Sequence, residues 1–82
     1  MTLNKQAIYD YFASNFYIDS SEISDETLLF TTGVIDSFKM IELIVFLEQS
    51  CNIKIQPGEI TLDNLDSIER VMKFIEGKIT LA

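Results

Sequence analysis

Apolar residues recur at helical spacing in three stretches of this chain, and polar turns separate these stretches. The first stretch predicts a helix over residues 3 to about 16. Within it Ile8, Phe12 and Phe16 follow an i, i+4, i+8 pattern, which places them on one face. Thr2 is suited to cap this helix because its hydroxyl can accept a hydrogen bond from a free backbone N–H. We expect the apolar face to lie in the core.

The second stretch predicts a helix over residues 37–50 with two separate apolar faces. One face is typical of a core and consists of Met40, Leu43, Ile44, Leu47 and Cys51. The other, which we call the docking stripe, consists of Phe38, Ile41 and Val45 and has acidic neighbours. This second face fits either a helix buried at the centre of a bundle or an exposed surface that binds partners. We favour partner binding, because the stripe starts next to Ser37.

The third stretch opens with Asp66 and Glu69, which resemble a capping box with Asp66 as the N-cap. The i, i+3, i+4, i+7 pattern of a helix follows at Ile68, Val71, Met72 and Ile75. Gly77 is a typical C′ residue, so we expect the helix to end there. Ahead of this helix, residues 53–55 predict a short extended segment, and Thr61 predicts a capped helical turn. The pattern predicts an all-α fold with three main helices and one short one.

Residues 17–36 form a long predicted connection that is rich in turn-forming residues. Near its end Leu28, Leu29 and Phe30 predict an apolar anchor onto the helices. Earlier in the connection, acidic and hydroxyl side chains surround Ile23, and such a cluster fits either a calcium site or a solvated loop. The spacing does not match an EF-hand, and no glycine stands at the turn position. We therefore expect a solvated loop.

The composition predicts one domain over residues 1–82, because 82 residues are too few for two cores. Hydrophobic residues make up 48% of the chain, which is typical of a folded protein. The single Cys51 has no partner for an internal disulfide, which favours a reducing compartment, and we expect a cytoplasmic monomer. We find no secretory signal pattern and no apolar run of about 18 residues, so we expect neither export nor membrane insertion.

Charge and residue types narrow the possible functions. The net charge is −7, which argues against nucleic acid as a partner and favours proteins with basic patches. The chain has no histidine to activate a serine or to complete a zinc site with Cys51, so we predict a non-catalytic protein without a metal. Ser37 opens a predicted helix, where free N–H groups and the macrodipole favour an anion. It is either a plain helix cap or the bearer of an attached group.

Several segments, taken in order, match a known family. They are Leu28-Leu29-Phe30, Gly33-Val34-Ile35-Asp36-Ser37-Phe38, Ile41-Glu42-Leu43, Leu47-Glu48, Ile53-Lys54-Ile55 and Asp66-Ser67-Ile68. Together they resemble the acyl and peptidyl carrier proteins over nearly the whole chain. An Asp-Ser pair alone is a common dipeptide. Its position between an apolar anchor and an amphipathic helix makes the match specific.

This resemblance implies a small antiparallel four-helix bundle with a long first loop and a short third helix. It also implies that Ser37 receives 4′-phosphopantetheine from coenzyme A through a separate magnesium-dependent phosphopantetheinyl transferase, which Asp36 helps to engage. The thiol of the arm would hold an acyl, aminoacyl or peptidyl group as a thioester. An adenylating or other loading enzyme would supply that group, and downstream enzymes would process it. The residues that such partners would contact are Phe38, Ile41, Glu42 and Val45.

Two residues depart from the common pattern of the family. Phe38 stands where leucine often follows the serine, and Lys39 stands where carriers of fatty-acid synthesis commonly have an acidic residue. We therefore favour a free-standing carrier of a specialised pathway with aminoacyl or peptidyl cargo, D-alanine included, over a fatty acyl carrier. The alternative from a different class is an unmodified helical interaction module that uses the docking stripe. A hydrolase built on Ser37 would lack a histidine.

Overall fold

The computed structural model describes residues 3–81, with side chains up to residue 79. Its four α-helices are α1 (Lys5–Tyr11), α2 (Ser37–Cys51), α3 (Leu62–Leu65) and α4 (Ile68–Leu81). A π-helical segment, Phe12–Phe16, continues α1, and a 3₁₀ turn, Pro57–Glu59, precedes α3. No β-strand occurs in this part of the chain. The predicted small antiparallel four-helix bundle, with its long first loop and short third helix, is confirmed.

The first helix begins at Lys5, two residues later than its apolar pattern suggests. Asn4 is the N-cap, and its side-chain oxygen accepts a hydrogen bond from Ala7 N at 2.8 Å. Thr2, the cap expected from the sequence, lies outside the described residues. At the other end the helix widens into π geometry and stops at Tyr17, whose φ of 58° is left-handed. The predicted helix is thus present, but its last turn is not α-helical.

The core forms where the apolar faces of α1, α2 and α4 meet. Its largest fully buried apolar side chains are Phe12, Ile8, Leu29, Ile35, Leu43, Leu47, Leu65, Ile68, Ile75 and Val71. The predicted core face of α2 is therefore correct at its centre. Its two ends, Met40 and Cys51, are only partly buried. Because this one apolar cluster runs through all the main helices, side-chain packing holds the bundle together.

The long first loop is fastened to the helices rather than free in solvent. Ile23, Leu29 and Ile35 are buried along it, which confirms the predicted apolar anchor at Leu29. Asp25 adds a polar tether, since its carboxylate accepts hydrogen bonds from Lys5 Nζ at 2.6 Å and Tyr9 OH at 2.7 Å. A loop of this length stays ordered because apolar and polar contacts recur along it.

The start of α4 differs from the prediction. Ser67, not Asp66, occupies the capping position, and its Oγ accepts a hydrogen bond from Arg70 N at 3.1 Å. Asp66 is instead buried and directed at the first loop. The predicted capping box of Asp66 and Glu69 is therefore wrong. The cap lies one residue later than predicted. The Asp66 carboxylate is not free to cap α4, because it accepts hydrogen bonds from the first loop.

The end of α4 also differs. Gly77 is not a C′ residue, because the helix continues through it to Leu81. Lys78 lies beyond it and forms an ion pair with Glu59 of the 3₁₀ turn, with Nζ–O distances of 2.8 and 2.9 Å. Lys78 Nζ also lies 5.7 Å from the centre of the Phe74 ring. These contacts stabilise a further turn of helix where the sequence signal alone predicts a stop.

The segment between α2 and α3 matches the prediction in outline. Ile53 and Ile55 pack against the core without forming a strand, and Ile55 N donates a hydrogen bond to a carboxylate oxygen of Glu48 at 2.9 Å. Thr61 precedes α3 as expected, but its side chain makes no capping hydrogen bond.

Candidate functional site

Ser37 is the first residue of α2, and its side chain is exposed. The N-cap is Asp36, whose carboxylate accepts a hydrogen bond from Lys39 N at 3.0 Å. The alternative that Ser37 is merely the cap of its helix is therefore wrong. Since a carboxylate already satisfies this end of the helix, the Ser37 hydroxyl is available for another role.

The position of Ser37 suits an attached phosphate ester. Ser37 opens a 15-residue helix, and the macrodipole places partial positive charge at that end. A phosphodiester at an exposed helix start is stabilised by about 0.3–1 kcal/mol. An exposed primary hydroxyl at this end of α2 is thus accessible for a phosphopantetheine arm, and the helix dipole partly offsets the negative charge of the Asp36 carboxylate beside it.

The docking stripe is exposed and is not core. Phe38 is 79% exposed, Ile41 59% and Val45 44%. Glu42, one turn from Phe38 on the same helix, is also exposed. Large apolar side chains that stay in solvent beside acidic groups are typical of surfaces that bind other proteins. The predicted position of these residues is correct, while their role in binding stays a prediction.

A shallow cleft of about 260 Å³ adjoins this stripe. Ile41, Glu42, Val45, Gln49, Tyr11 and Phe46 line it. The rings of Tyr11 and Phe46 are stacked with centroids 4.1 Å apart, and Tyr11 OH donates a hydrogen bond to the backbone oxygen of Glu42 at 3.1 Å. The aromatic pair therefore extends the apolar surface of α2 onto α1.

Sequence reasoning missed this extension. Phe46 lies between the two apolar faces of α2, and Tyr11 lies beside the apolar face of the first helix. Neither residue stands out from periodicity within its own helix. Only the packing of α1 against α2 brings their rings into contact.

The segment that leads into Ser37 is held by a buried carboxylate. Asp66 is 2% exposed, and its carboxylate accepts hydrogen bonds from Phe30 N at 2.7 Å, Thr31 N at 3.2 Å and Thr31 Oγ1 at 2.5 Å. Burial by itself raises the pKa of Asp66. The hydrogen bonds from Thr31 and Phe30 outweigh burial, so the pKa lies below its usual value. Asp66 therefore stays ionised inside the fold.

Among residues 3–81 no group of three or more Cys, Asp or Glu side chains is arranged to hold a metal ion. Cys51 is half-buried at the end of α2, and burial raises the pKa of its thiol, which keeps it protonated at neutral pH. No helix in this part of the chain has the length and apolar character to cross a bilayer.

Known proteins resemble this chain in sequence over most of its length. The family described as "Phosphopantetheine attachment site" matches residues 6–75. The D-alanyl carrier protein of Streptococcus pyogenes serotype M5 (strain Manfredo) is 35% identical over 72 residues, which are 88% of this chain and 90% of that protein. The D-alanyl carrier protein of serotype M49 (strain NZ131) has the same identity and coverage.

The helical bundle, the exposed helix start and these matches together define the class of protein. The chain belongs to the phosphopantetheine-binding carrier protein family. Its function is that of a carrier, and its cofactor is a covalently attached 4′-phosphopantetheine arm.

Proposed function

We propose that Ser37 is the residue that bears the phosphopantetheine arm. The observation that carries this proposal is the exposed hydroxyl of Ser37 at the start of α2, where Asp36 supplies the cap. In the transfer reaction Ser37 Oγ forms a bond to the β-phosphorus of coenzyme A. The pyrophosphate bond breaks, adenosine 3′,5′-bisphosphate leaves, and the hydroxyl proton passes to a base of the transferase. The thiol of the attached arm holds the cargo as a thioester.

The chain itself contributes presentation rather than chemistry. We assign residues 1–82 to one non-catalytic carrier domain that acts as a cytoplasmic monomer. The absence of histidine from the sequence supports the non-catalytic role, since no imidazole can activate a serine or thiol. The magnesium-dependent transferase, a loading enzyme and downstream processing enzymes supply the reactions.

The docking stripe is the surface through which those enzymes bind. Phe38, Ile41 and Val45 offer exposed apolar area beside the attachment point, and Glu42 offers negative charge next to the cleft. A net charge of −7 favours partners with basic rims, whose approach it accelerates at low ionic strength. Asp36 is exposed next to Ser37, where the transferase can contact it.

The cargo belongs to the aminoacyl class. The relatives reported above are named as carriers of D-alanine, and they match this chain over nearly all of its length. We therefore assign an adenylating enzyme as the loading partner and D-alanine as the first amino acid to test. Phe38 and Lys39 support this class over fatty acyl cargo, because they depart from the pattern common among fatty-acid carriers.

The attachment is tested by incubating the apo protein with coenzyme A and a broad-specificity phosphopantetheinyl transferase, followed by intact-mass measurement. The wild-type chain should gain one phosphopantetheine mass, and Ser37→Ala should gain none. Ser67→Ala, which removes another serine at a helix start, is the matched control and should be modified like the wild type. A wild-type protein that gains no mass with several transferases is instead the unmodified interaction module.

The cargo is tested with the modified protein, ATP and a D-alanine-adenylating enzyme. Loading with D-alanine should add one alanyl mass that hydroxylamine removes, because hydroxylamine cleaves thioesters. Loading of a fatty acid by an ATP-dependent synthetase that acylates carrier proteins serves as the competing reaction. Faster loading with a fatty acid than with any amino acid would contradict the aminoacyl assignment.

A further inference from the structure

Asp66 accepts three hydrogen bonds through its carboxylate, and all of the donors lie in the first loop. It accepts from Phe30 N, Thr31 N and Thr31 Oγ1, while its own backbone oxygen accepts from Leu29 N at 2.7 Å. Three consecutive loop residues are thus bound to a single residue at the junction of α3 and α4. This junction lies about thirty positions from Ser37 in sequence, so local structure alone does not create the contact.

The hydrogen bonds continue from this junction towards Ser37. Phe30 O accepts from Gly33 N at 3.1 Å, and Leu29 O accepts from Ile35 N at 3.0 Å. Ile35 is buried, and the next residue, Asp36, caps α2. A connected set of hydrogen bonds therefore runs from Asp66 to within two residues of Ser37.

The other carboxylate that fastens this loop has a different position. Asp25 binds Lys5 Nζ and Tyr9 OH through its side chain, and its backbone oxygen accepts from Glu69 N at 2.9 Å. These bonds hold the middle of the loop to α1 and α4, well before the segment that enters α2. Asp25 therefore resembles Asp66 in chemistry but not in its connection to Ser37.

We propose that Asp66 is a positioning residue for the modification of Ser37. By holding residues 29–35 in one conformation, it fixes the loop beside the serine and presents the hydroxyl to the transferase in a single orientation. The inference rests on the proposed attachment at Ser37. Asp66, which is buried before the start of α4 and remote from Ser37 in sequence, governs the rate of transfer.

Steady-state kinetics of the transferase separate positioning from stability. A variant that is merely less stable lowers the concentration of folded substrate, which raises the apparent KM and leaves kcat unchanged. A misplaced hydroxyl lowers kcat even when all of the substrate is folded, because small displacements of a reacting group cost large factors in rate. The two effects are therefore visible in different constants.

The test uses Asp66→Asn, with Asp25→Asn as the matched control. Asparagine fills the same space but holds the loop less firmly. Its neutral oxygen accepts weaker hydrogen bonds from Phe30 N and Thr31 N, and its amide nitrogen replaces the oxygen that accepts from Thr31 Oγ1. We expect Asp66→Asn to lower kcat on the order of tenfold at saturating carrier, while Asp25→Asn changes only the apparent KM. Both variants are assayed well below their melting temperatures.

Thr31→Val provides a second variant, because it removes one donor to Asp66 without touching the core. It should lower kcat in the same direction but less than Asp66→Asn, and it decides the question if Asp66→Asn does not fold. An unchanged kcat in the folded variant, or equal changes in Asp66→Asn and Asp25→Asn, overturns the positioning role. If wild-type protein gains mass at a residue other than Ser37, or gains none, the attachment proposal fails instead.

Discussion

Neighbouring residues of α2 have opposite surroundings although they share one helix. Phe38, Ile41 and Val45 face solvent, whereas Leu43 and Leu47 are fully buried. The difference arises because the loop and the other helices cover only one side of α2. Residues on the open side contribute little to stability and remain available to partners.

Phe38→Ala should therefore leave the fold intact and impair recognition. We expect the free energy of unfolding to change by no more than about 0.5 kcal/mol, since Phe38 is 79% exposed. The rate of reaction with the transferase or loading enzyme should fall. Chemical denaturation and loading kinetics measure the two effects.

Leu47→Ala is the buried counterpart on the same helix. It should lower the free energy of unfolding by about 2–5 kcal/mol through loss of packing. A core-sized loss for Phe38→Ala as well would contradict the assignment of Phe38 to a binding surface.

Asp36 has two roles that substitution can separate. Asparagine caps helices about as well as aspartate, so Asp36→Asn should keep the hydrogen bond from Lys39 N and nearly the full stability. Asp36→Ala should lose about 0.5–2 kcal/mol. If the transferase reads the charge, Asp36→Asn should slow transfer almost as much as Asp36→Ala. A normal transfer rate for Asp36→Asn would limit the residue to capping.

At the scale of elements, the limits of α4 depend on contacts outside the helix. Its start is shifted because Asp66 binds the first loop, and Ser67 takes over the cap. Its end extends past Gly77 because Lys78 pairs with Glu59. Gly77 thus lies inside a helix, where glycine is unfavourable relative to alanine.

Gly77→Ala should stabilise the protein. A Cβ at this position meets no atom within 4 Å, so the gain in helix propensity, about 0.5–1 kcal/mol, carries no steric cost. Thermal unfolding measures the change as a higher melting temperature.

Gly33→Ala should instead lower the stability of the protein in the same thermal unfolding assay. The space around Gly33 is also open, but its φ of +79° strains any residue with a Cβ, so we expect a loss of about 1–2 kcal/mol. A destabilising Gly77→Ala would mean that α4 ends at Gly77 in solution.

At the scale of the whole molecule, carboxylates tie separate elements together. Hydrogen bonds from Lys5 and Tyr9 lower the pKa of Asp25, and the ion pair with Lys78 lowers the pKa of Glu59. At Asp66, hydrogen bonds from the loop outweigh the opposing effect of burial. Each group thus prefers to be ionised in the folded state, and each links the loop or the 3₁₀ turn to a helix.

Stability should consequently fall in acid. The unfolded chain binds protons near the ordinary pKa values of 3.8 for aspartate and 4.5 for glutamate, whereas the folded chain resists protonation until lower pH. The contribution of these carboxylates is complete above those values and is lost as the pH falls through their lowered folded-state values.

Urea unfolding at a series of pH values between neutral and about 2 measures this dependence. Asp66→Asn should flatten the acid limb, because it removes one of the groups that resists protonation. An acid limb as steep in Asp66→Asn as in the wild type would mean that Asp66 does not contribute to it.

Much of this protein follows from local sequence. The periodicity of α2 determined both of its apolar faces, and the order of the motifs around Ser37 indicated the carrier family. These features were predictable because a helix converts spacing in sequence directly into position on a face. The position of the Ser37 hydroxyl at the start of α2 was predictable for the same reason, since Asp36-Ser37 directly precedes the apolar run.

The tertiary structure decided that the docking stripe stays exposed rather than buried, how α4 begins and ends, and what Asp66 binds. Asp66 is an effective helix cap in isolation, and Gly77 is an effective stop. In the folded chain, the Asp66 carboxylate instead accepts from backbone N–H groups of the first loop. The ion pair of Lys78 with Glu59 keeps the chain helical beyond Gly77. Buried donors must be satisfied wherever the fold brings them, so long-range hydrogen bonds displaced the local ones that sequence can predict.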